Sequence, residues 1–289
     1  MPQGQSATVP LQVRRLVERA LEEDLASGDP TTEALITDQD RGRAEAVVRA
    51  PGVLAGTWVF GLVFTTVDPR LEVQPLRPEG HHLTPGEGVA TVTGSLASIL
   101  RGERVALNFL QRLSGIATGT ARFVAAVAGL PVRIVDTRKT VPGMRWLEKY
   151  AVRMGGGFNH RMNLSDGILV KDNHLVVVKA RGESFKAMVA RLRECTSHLL
   201  RVQVEVETLD EATEAAEAGV DALLLDQMAL EQMAEVVRRY KGRVLIEASG
   251  GITLDTVRRV AETGVDFISV GALTHSAQAL DISLEVQPA

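Results

Sequence analysis

The sequence predicts an α/β fold organised around a parallel sheet, and three observations carry that expectation. Six short apolar runs occupy the second half of the chain, at residues 133–135, 167–170, 202–204, 222–225, 244–246 and 267–270. Helical segments separate most of them. Each run also stops at charged residues or glycine: Asp136-Thr137-Arg138-Lys139, Lys171-Asp172-Asn173-His174, the acids Glu205 and Glu207, Asp226, Ala248-Ser249-Gly250-Gly251 and Gly271. Strands alternating with helices argue a parallel sheet, and a repeated β/α unit can close into a barrel. In such barrels the reacting groups gather where the strands finish. The pattern therefore predicts one shared pocket, and an enzyme.

The totals narrow the setting. A chain of 289 residues buries a substantial core and allows one or two domains. Its 45% hydrophobic and 24% charged residues are ordinary for a soluble globular protein. A net charge of −4 gives no general case for nucleic-acid binding. No run approaches the roughly 20 apolar residues that cross a bilayer, so no membrane partner is expected. Met1-Pro2-Gln3-Gly4-Gln5-Ser6 lacks the basic-then-apolar order of an export signal. The single cysteine, Cys195, cannot make an internal disulfide, and a thiol zinc site is not expected. Inside a helical stretch at 184–197 it reads as a buried or bystander thiol rather than a nucleophile. A cytoplasmic setting follows.

Along the chain, Val13, Leu16, Val17, Ala20 and Leu21 fall on one face of a helix. A loop at Gly28-Asp29-Pro30-Thr31-Thr32 follows. Residues 44–50, 71–75 and 89–93 read as strands bounded by Pro51-Gly52, Pro78-Glu79-Gly80 and Pro85-Gly86-Glu87-Gly88, with a helix at 57–67 between the first two. Residues 101–113 and 118–128 predict a helical hairpin broken near Ser114-Gly115. The domain change is placed there, because the regular β/α rhythm begins after Gly129-Leu130-Pro131. The division is an α/β domain over 1–115 and a β/α domain over 116–272. The tail, 273–289, is too short for a unit of its own and can return to the first.

Arg138 and Lys139 follow a strand directly and precede Pro142-Gly143, which forces a loop. Two adjacent cations attract carboxylates or phosphates, arginine as a planar fork and lysine as a compact charge. Thr137 and Thr140 add hydroxyl donors, which favours anion binding over a solvated basic pair. Gly155-Gly156-Gly157 before Phe158-Asn159-His160-Arg161 frees backbone to approach a ligand. His81-His82 reads as structural, and no histidine pair has helical metal-ligand spacing. Glu205 and Asp226 end consecutive strands; two carboxylates facing one mouth, opposite several cations, suit a hard ion such as Mg²⁺ bridging to phosphate oxygens. Glu207 alternates with Glu205 by two and points the same way, so pattern alone leaves either as the important one. Ser249-Gly250-Gly251 and Gly271-Ala272 close the last two strands, where backbone N–H groups and the next helix N-terminus favour phosphate. His275 and Ser276 add donors.

Five stretches then resemble one family, the quinolinate phosphoribosyltransferases. They are Gly102-Glu103-Arg104-Val105-Ala106-Leu107-Asn108-Phe109-Leu110-Gln111, Asp136-Thr137-Arg138-Lys139-Thr140-Val141-Pro142-Gly143, Gly155-Gly156-Gly157-Phe158-Asn159-His160-Arg161, Lys171-Asp172-Asn173-His174 and Glu247-Ala248-Ser249-Gly250-Gly251-Ile252. The likeness runs from Glu23-Asp24 to His275, nearly the whole chain. It implies an N-terminal α/β sandwich and a C-terminal incomplete α/β barrel, assembled as a homodimer, with any further assembly left open. It also implies that Arg104, Arg138, His160, Arg161 and Lys171 hold a pyridine dicarboxylate, Arg104 entering from the neighbouring subunit. Lys139, Glu205, Asp226, Ser249, Gly250, Gly271 and His275 match the positions for phosphoribosyl pyrophosphate and Mg²⁺, with Thr137, Gly251 and Ala272 beside them.

Two departures stand out: Gln227 where asparagine is usual, and Val105 where threonine is common. The implied activity joins quinolinate to the phosphoribosyl group with loss of CO₂, with Lys139, Lys171, Glu205 and Asp226 as the catalytic set. A nicotinate-specific transferase needs fewer cations than this chain supplies. A barrel lyase forming a Schiff base at Lys171 or Lys139 and a non-catalytic phosphosugar binder are the readings of other classes.

Overall fold

The computed structural model describes residues 9–289, and the chain divides into two compact units. The first holds the described residues up to Gly119 together with Thr140–Gly156 and Ala277–Ala289; the second holds Thr120–Lys139 and Gly157–Ser276. The second unit is thus interrupted at 140–156, where the sequence reading ran without a break. The opening hexapeptide examined for an export signal lies outside the described residues.

Helix α1 (Leu11–Leu25) forms because Val13, Val17 and Leu21 recur on one face, and all three are buried. The segment expected as a loop after it contains a short helix, α2 (Pro30–Leu35). Asp29 caps it by accepting the Thr32 N–H at 3.0 Å, and Pro30 is preset for the first helical position. Next come β1 (Arg41–Val48), β2 (Gly52–Val53), α3 (Thr57–Val67), β3 (Glu72–Pro75), β4 (His82–Leu83) and β5 (Gly88–Ser95). The Glu79 carboxylate accepts the N–H groups of Gly56 and Thr57 at 2.7 and 2.8 Å. A negative charge there complements the N-terminus of α3. His81 pairs with Glu87 at 2.9 Å, a structural contact.

Where the sequence suggested a broken hairpin, one helix runs from Leu96 to Ala126, α4. The residues that looked like a break serve tertiary contacts. Ser114, fully buried, accepts the Ala55 N–H at 3.1 Å and donates to its carbonyl at 3.2 Å. Thr118 accepts the Val53 N–H at 2.8 Å. Any Cβ on Gly115 would overlap the Gln278 carbonyl oxygen. Glycine here permits close approach of another segment, and a helix tolerates it for about 1 kcal/mol.

Strand β6 (Arg133–Val135) opens the second unit's sheet, and α5 (Arg145–Met154) belongs to the first unit. There follow β7 (Ile168–Val170), α6 (Asp172–Ala180), α7 (Phe185–Cys195), β8 (Val202–Val206), α8 (Leu209–Glu217), β9 (Ala222–Asp226), α9 (Leu230–Tyr240), β10 (Leu245–Ser249), α10 (Val257–Glu262), β11 (Phe267–Ser269) and α11 (Ala272–His275). Every strand pair in this sheet is parallel, in the order β6-β11-β10-β9-β8-β7. The first two strands in sequence therefore hold opposite edges. Phe158 bridges the outer edge of β6, donating to Ile134 at 2.8 Å and accepting from Asp136 at 3.1 Å. The result is an incomplete barrel.

Alternation along the strands divides the labour. Val204, Val206, Leu223, Leu225, Ile246, Ala248 and Ile268 are buried, as are Ala212, Ala215, Met233, Val236, Val257 and Val260 on the helices. The intervening residues Glu205, Leu224, Asp226, Glu247, Ser249 and Ser269 line a cavity instead.

The chain ends in β12 (Ile282–Pro288), which pairs antiparallel with β1 from Gly42↔Pro288 to Val48↔Ile282. It completes the first unit's sheet, ordered β12-β1-β5-β3. Ile282, Leu284 and Val286 alternate with Ser283, Glu285 and Gln287, a period-two pattern the sequence reading did not use. No helix among the described residues is long and apolar enough to cross a membrane. Cys195 is a free, exposed thiol at the end of α7.

Candidate active site

A cavity of about 540 Å³ opens at the C-terminal ends of the second unit's strands. Thr137, Arg138, Lys139, His160, Arg161, Lys171, Glu205, Asp226, Ser249, Gly250, Gly251, Gly271, Ala272 and His275 all line it. Arg104 does not: it lies in the first unit, exposed, on a separate cavity of about 320 Å³ with Glu23, Asp24, Val105, Asn108 and Arg112.

The loop after β6 is built on its own side chains. Thr137 Oγ1 accepts the Lys139 N–H at 3.0 Å, and Thr274 of α11 donates to the Lys139 carbonyl at 2.8 Å. A Cβ on Gly271 would stand 3.1 Å from both the Lys139 and His275 side chains. Its absence lets those two groups come close. Asp136, fully buried, accepts the Asn159 amide at 2.6 Å and the His160 N–H at 2.9 Å. That carboxylate ties the His160-Arg161 segment to the end of β6. The Arg161 guanidinium donates to the Gly167 carbonyl at 3.0 Å.

On the opposite wall, Lys171 Nζ stands 3.3 Å from Glu205 Oε2. Burial pushes the Glu205 carboxyl up; Lys171 counters this, and the charges of Asp226 and Asp172 add to the rise. Two carboxylates that feel each other at adjacent strand ends are a site that gains from a cation. Burial lowers the Arg161 guanidinium, and the charge of Arg138 lowers it further. Two cations that repel across a partly desolvated cavity gain from an anion between them. Glu207 lies past the end of β8, exposed, its N–H bonded to the Glu211 carboxylate at 3.1 Å. Of the two acids left open by alternation, the cavity takes Glu205.

The glycine loop after β10 takes left-handed backbone at Gly250 (φ +91°) and Gly251 (φ +61°). Helix α10 begins only at Val257, so the glycines there stand apart from a helix N-terminus, whereas α11 starts directly after Gly271. Gln227 is also left-handed (φ 53°), and its N–H donates to the Ser249 carbonyl at 3.0 Å. Asparagine adopts that conformation more readily than glutamine, which gives the departure noted at this position a physical meaning. Gln227→Asn raises the unfolding free energy by about 0.5–1 kcal/mol. Chemical denaturation of the two proteins measures it; equal midpoints and slopes would remove the explanation.

Sequence reasoning passed over Glu247. It is buried at 5% exposure on β10, accepts the Gln203 amide at 2.8 Å, and lies 3.4 Å from His160 Nε2. Burial pushes its carboxyl up, but His160, Gln203 and Ser269 hold it below its ordinary value. Alternation with Ser249 places it inward, a signal that was present. Ion-paired to Glu205 and not enclosed by apolar groups, Lys171 gives the Schiff-base reading no support.

Fold and cavity define a class: an α/β-barrel enzyme whose mouth sets several cations against a pair of carboxylates. The comparisons are specific. The family description "Quinolinate phosphoribosyl transferase, C-terminal domain" matches residues 116–285, and its N-terminal counterpart matches residues 29–114. The chain is 43% identical over 273 residues to a probable nicotinate-nucleotide pyrophosphorylase [carboxylating] of Synechocystis sp., covering 93% of this chain and 91% of the relative. It is 39% identical over 276 residues to the corresponding Bacillus subtilis protein, covering 96% and 94%. Among solved structures, NadC from Streptococcus pyogenes superposes with a TM-score of 0.92 at 43% identity, covering 99% of this chain and all of that one. The chain belongs to the quinolinate phosphoribosyltransferase family.

Proposed function

We propose that this protein transfers the phosphoribosyl group of phosphoribosyl pyrophosphate to the nitrogen of quinolinate with decarboxylation. The products are nicotinate mononucleotide, pyrophosphate and CO₂, a step of de novo NAD biosynthesis. One observation carries the reading: Arg138, Arg161 and Lys171 share a cavity with Glu205 and Asp226. Three cations around one small ligand fit a dicarboxylate better than a monocarboxylate. Lys139, Ser249, Gly250, Gly251, Gly271, Ala272 and His275 form the phosphate side.

The pyridine nitrogen attacks C1 of the ribose, the C1–O bond breaks, and its electron pair leaves with pyrophosphate. Glu205 and Asp226 favour the positive charge that develops on the sugar. Once the nitrogen is quaternary the ring accepts the electron pair of the C2–carboxylate bond, CO₂ departs, and C2 takes a proton. The side chains position and neutralise; no covalent nucleophile is needed.

Among the described residues no group of three or more His, Cys, Asp or Glu side chains is placed to hold a metal unaided. Two repelling carboxylates on adjacent strands do suit a hard divalent cation such as Mg²⁺. Held by Glu205 and Asp226, Mg²⁺ would neutralise charge on the departing pyrophosphate. A cytoplasmic setting fits a chain whose single cysteine forms no internal disulfide.

A homodimer with Arg104 entering the neighbouring site completes the dicarboxylate subsite. Arg104 is exposed and is not among the residues lining the cavity that holds Arg138, Arg161 and Lys171, which supports this arrangement. Arg104→Ala and Lys171→Ala proteins, each nearly inactive, should recover about a quarter of wild-type activity when mixed, because half the dimers then hold one intact site. No recovery after verified subunit exchange counts against a shared site. For the reaction itself, the purified protein is given phosphoribosyl pyrophosphate, Mg²⁺ and either quinolinate or nicotinate. Mononucleotide forms from quinolinate; equal kcat/KM with nicotinate overturns the reading.

A further inference from the structure

His160 precedes Arg161 in the dicarboxylate subsite, and it is held from three directions. Its backbone N–H donates to buried Asp136. Its ring Nδ1 accepts the Arg161 backbone N–H at 2.8 Å. A nitrogen that accepts a hydrogen bond carries no proton, so the proton of the neutral ring is on Nε2. That atom faces Glu247 Oε2 at 3.4 Å, and the same oxygen takes the Gln203 amide at 2.8 Å. Glu247 Oε1 is buried with no hydrogen-bond partner among the described residues. A buried carboxylate is costly unless an acceptor is needed there, and the need here is the Nε2–H.

We propose that Glu247 is a positioning residue of the dicarboxylate subsite: with Gln203 it fixes His160 as the neutral Nε2–H tautomer and thereby sets the segment carrying Arg161. Both ring nitrogens are then occupied within the protein. His160 offers the ligand shape and no charge, and the anion is met by Arg138, Arg161 and Lys171. The resemblance counts His160 among the residues that hold the dicarboxylate, and the proposal specifies its part there as a neutral ring at the cavity wall. The identity of the ligand rests on the proposed reaction; the tautomer does not.

The test joins ring-nitrogen NMR of the full-length protein labelled with ¹⁵N-histidine to steady-state kinetics. At neutral pH the His160 signal, assigned by His160→Gln, shows a protonated Nε2 and a bare Nδ1. Glu247→Leu removes that preference and raises KM for quinolinate by about tenfold or more, with KM for phosphoribosyl pyrophosphate unchanged. Glu247→Gln keeps a carbonyl acceptor, retains the tautomer and recovers most of the KM. An imidazolium or an Nδ1–H ring in the wild type overturns the proposal. So does Glu247→Gln as impaired as Glu247→Leu, or a KM for phosphoribosyl pyrophosphate that rises in step. If Glu247→Leu does not fold, the wild-type spectrum and Glu247→Gln still decide. A correct tautomer without turnover of quinolinate counts against the proposed reaction and leaves the tautomer standing.

Discussion

Asp226→Asn lowers kcat with quinolinate by about a hundred- to a thousandfold, the range found when one preorganised electrostatic group is removed from a reacting centre. Asp226 ends β9 beside Glu205, and both carboxylates line the cavity. The amide keeps the shape of the side chain and removes the charge that would favour the developing ribosyl cation and hold Mg²⁺. Asp226 is the cleaner target, because Glu205 also pairs with Lys171 at 3.3 Å and its loss disturbs the dicarboxylate side. Quinolinate binding, measured by titration without turnover, changes by less than about threefold. A kcat within a factor of about two of wild type would show that the acidic pair does not act on the reacting atoms.

Arg138→Ala costs roughly ten- to over a hundredfold in kcat/KM for quinolinate, the equivalent of one charge-assisted hydrogen bond at about 1.5–3 kcal/mol. Arg138 stands close enough to Arg161 for its charge to lower that guanidinium, and an anion between them relieves the repulsion. Removing one of the two thus takes away both a contact and part of the reason for the cavity to fill. Arg138→Lys keeps the charge but loses the planar fork, and should recover only part of the loss. Initial rates at varied quinolinate and saturating phosphoribosyl pyrophosphate measure the effect. Wild-type kcat/KM in Arg138→Ala would remove Arg138 from the subsite.

Much of this site was legible because barrel topology converts sequence periodicity into place. Arg138, Lys171, Glu205, Asp226, Ser249 and Gly271 each follow or end an apolar run, and parallel pairing brings those ends to one mouth. Glu247 was hidden for the opposite reason: it sits inside its strand, flanked by Ile246 and Ala248, where a charge looks accidental. Its alternation with Ser249 was the sign of its inward placement, and it went unused. The break assigned at Ser114-Gly115 failed because a small residue in a helix has two meanings. It can end the helix or admit another segment, and only the three-dimensional partner, here Gln278 with Ala55, distinguishes them. β12 was missed although Ile282, Leu284 and Val286 alternate cleanly; its partner β1 lies more than two hundred residues earlier. Gln227 shows the converse, a family departure that gained meaning once its backbone angle was known.

The most direct measurement uses quinolinate labelled in its C2 carboxylate, with the purified protein, Mg²⁺ and phosphoribosyl pyrophosphate. If the nitrogen must become quaternary before the ring can accept electrons, labelled CO₂ and pyrophosphate appear one for one, and no label is released when phosphoribosyl pyrophosphate is withheld. Label retained in the mononucleotide, or CO₂ released without pyrophosphate, would contradict the account.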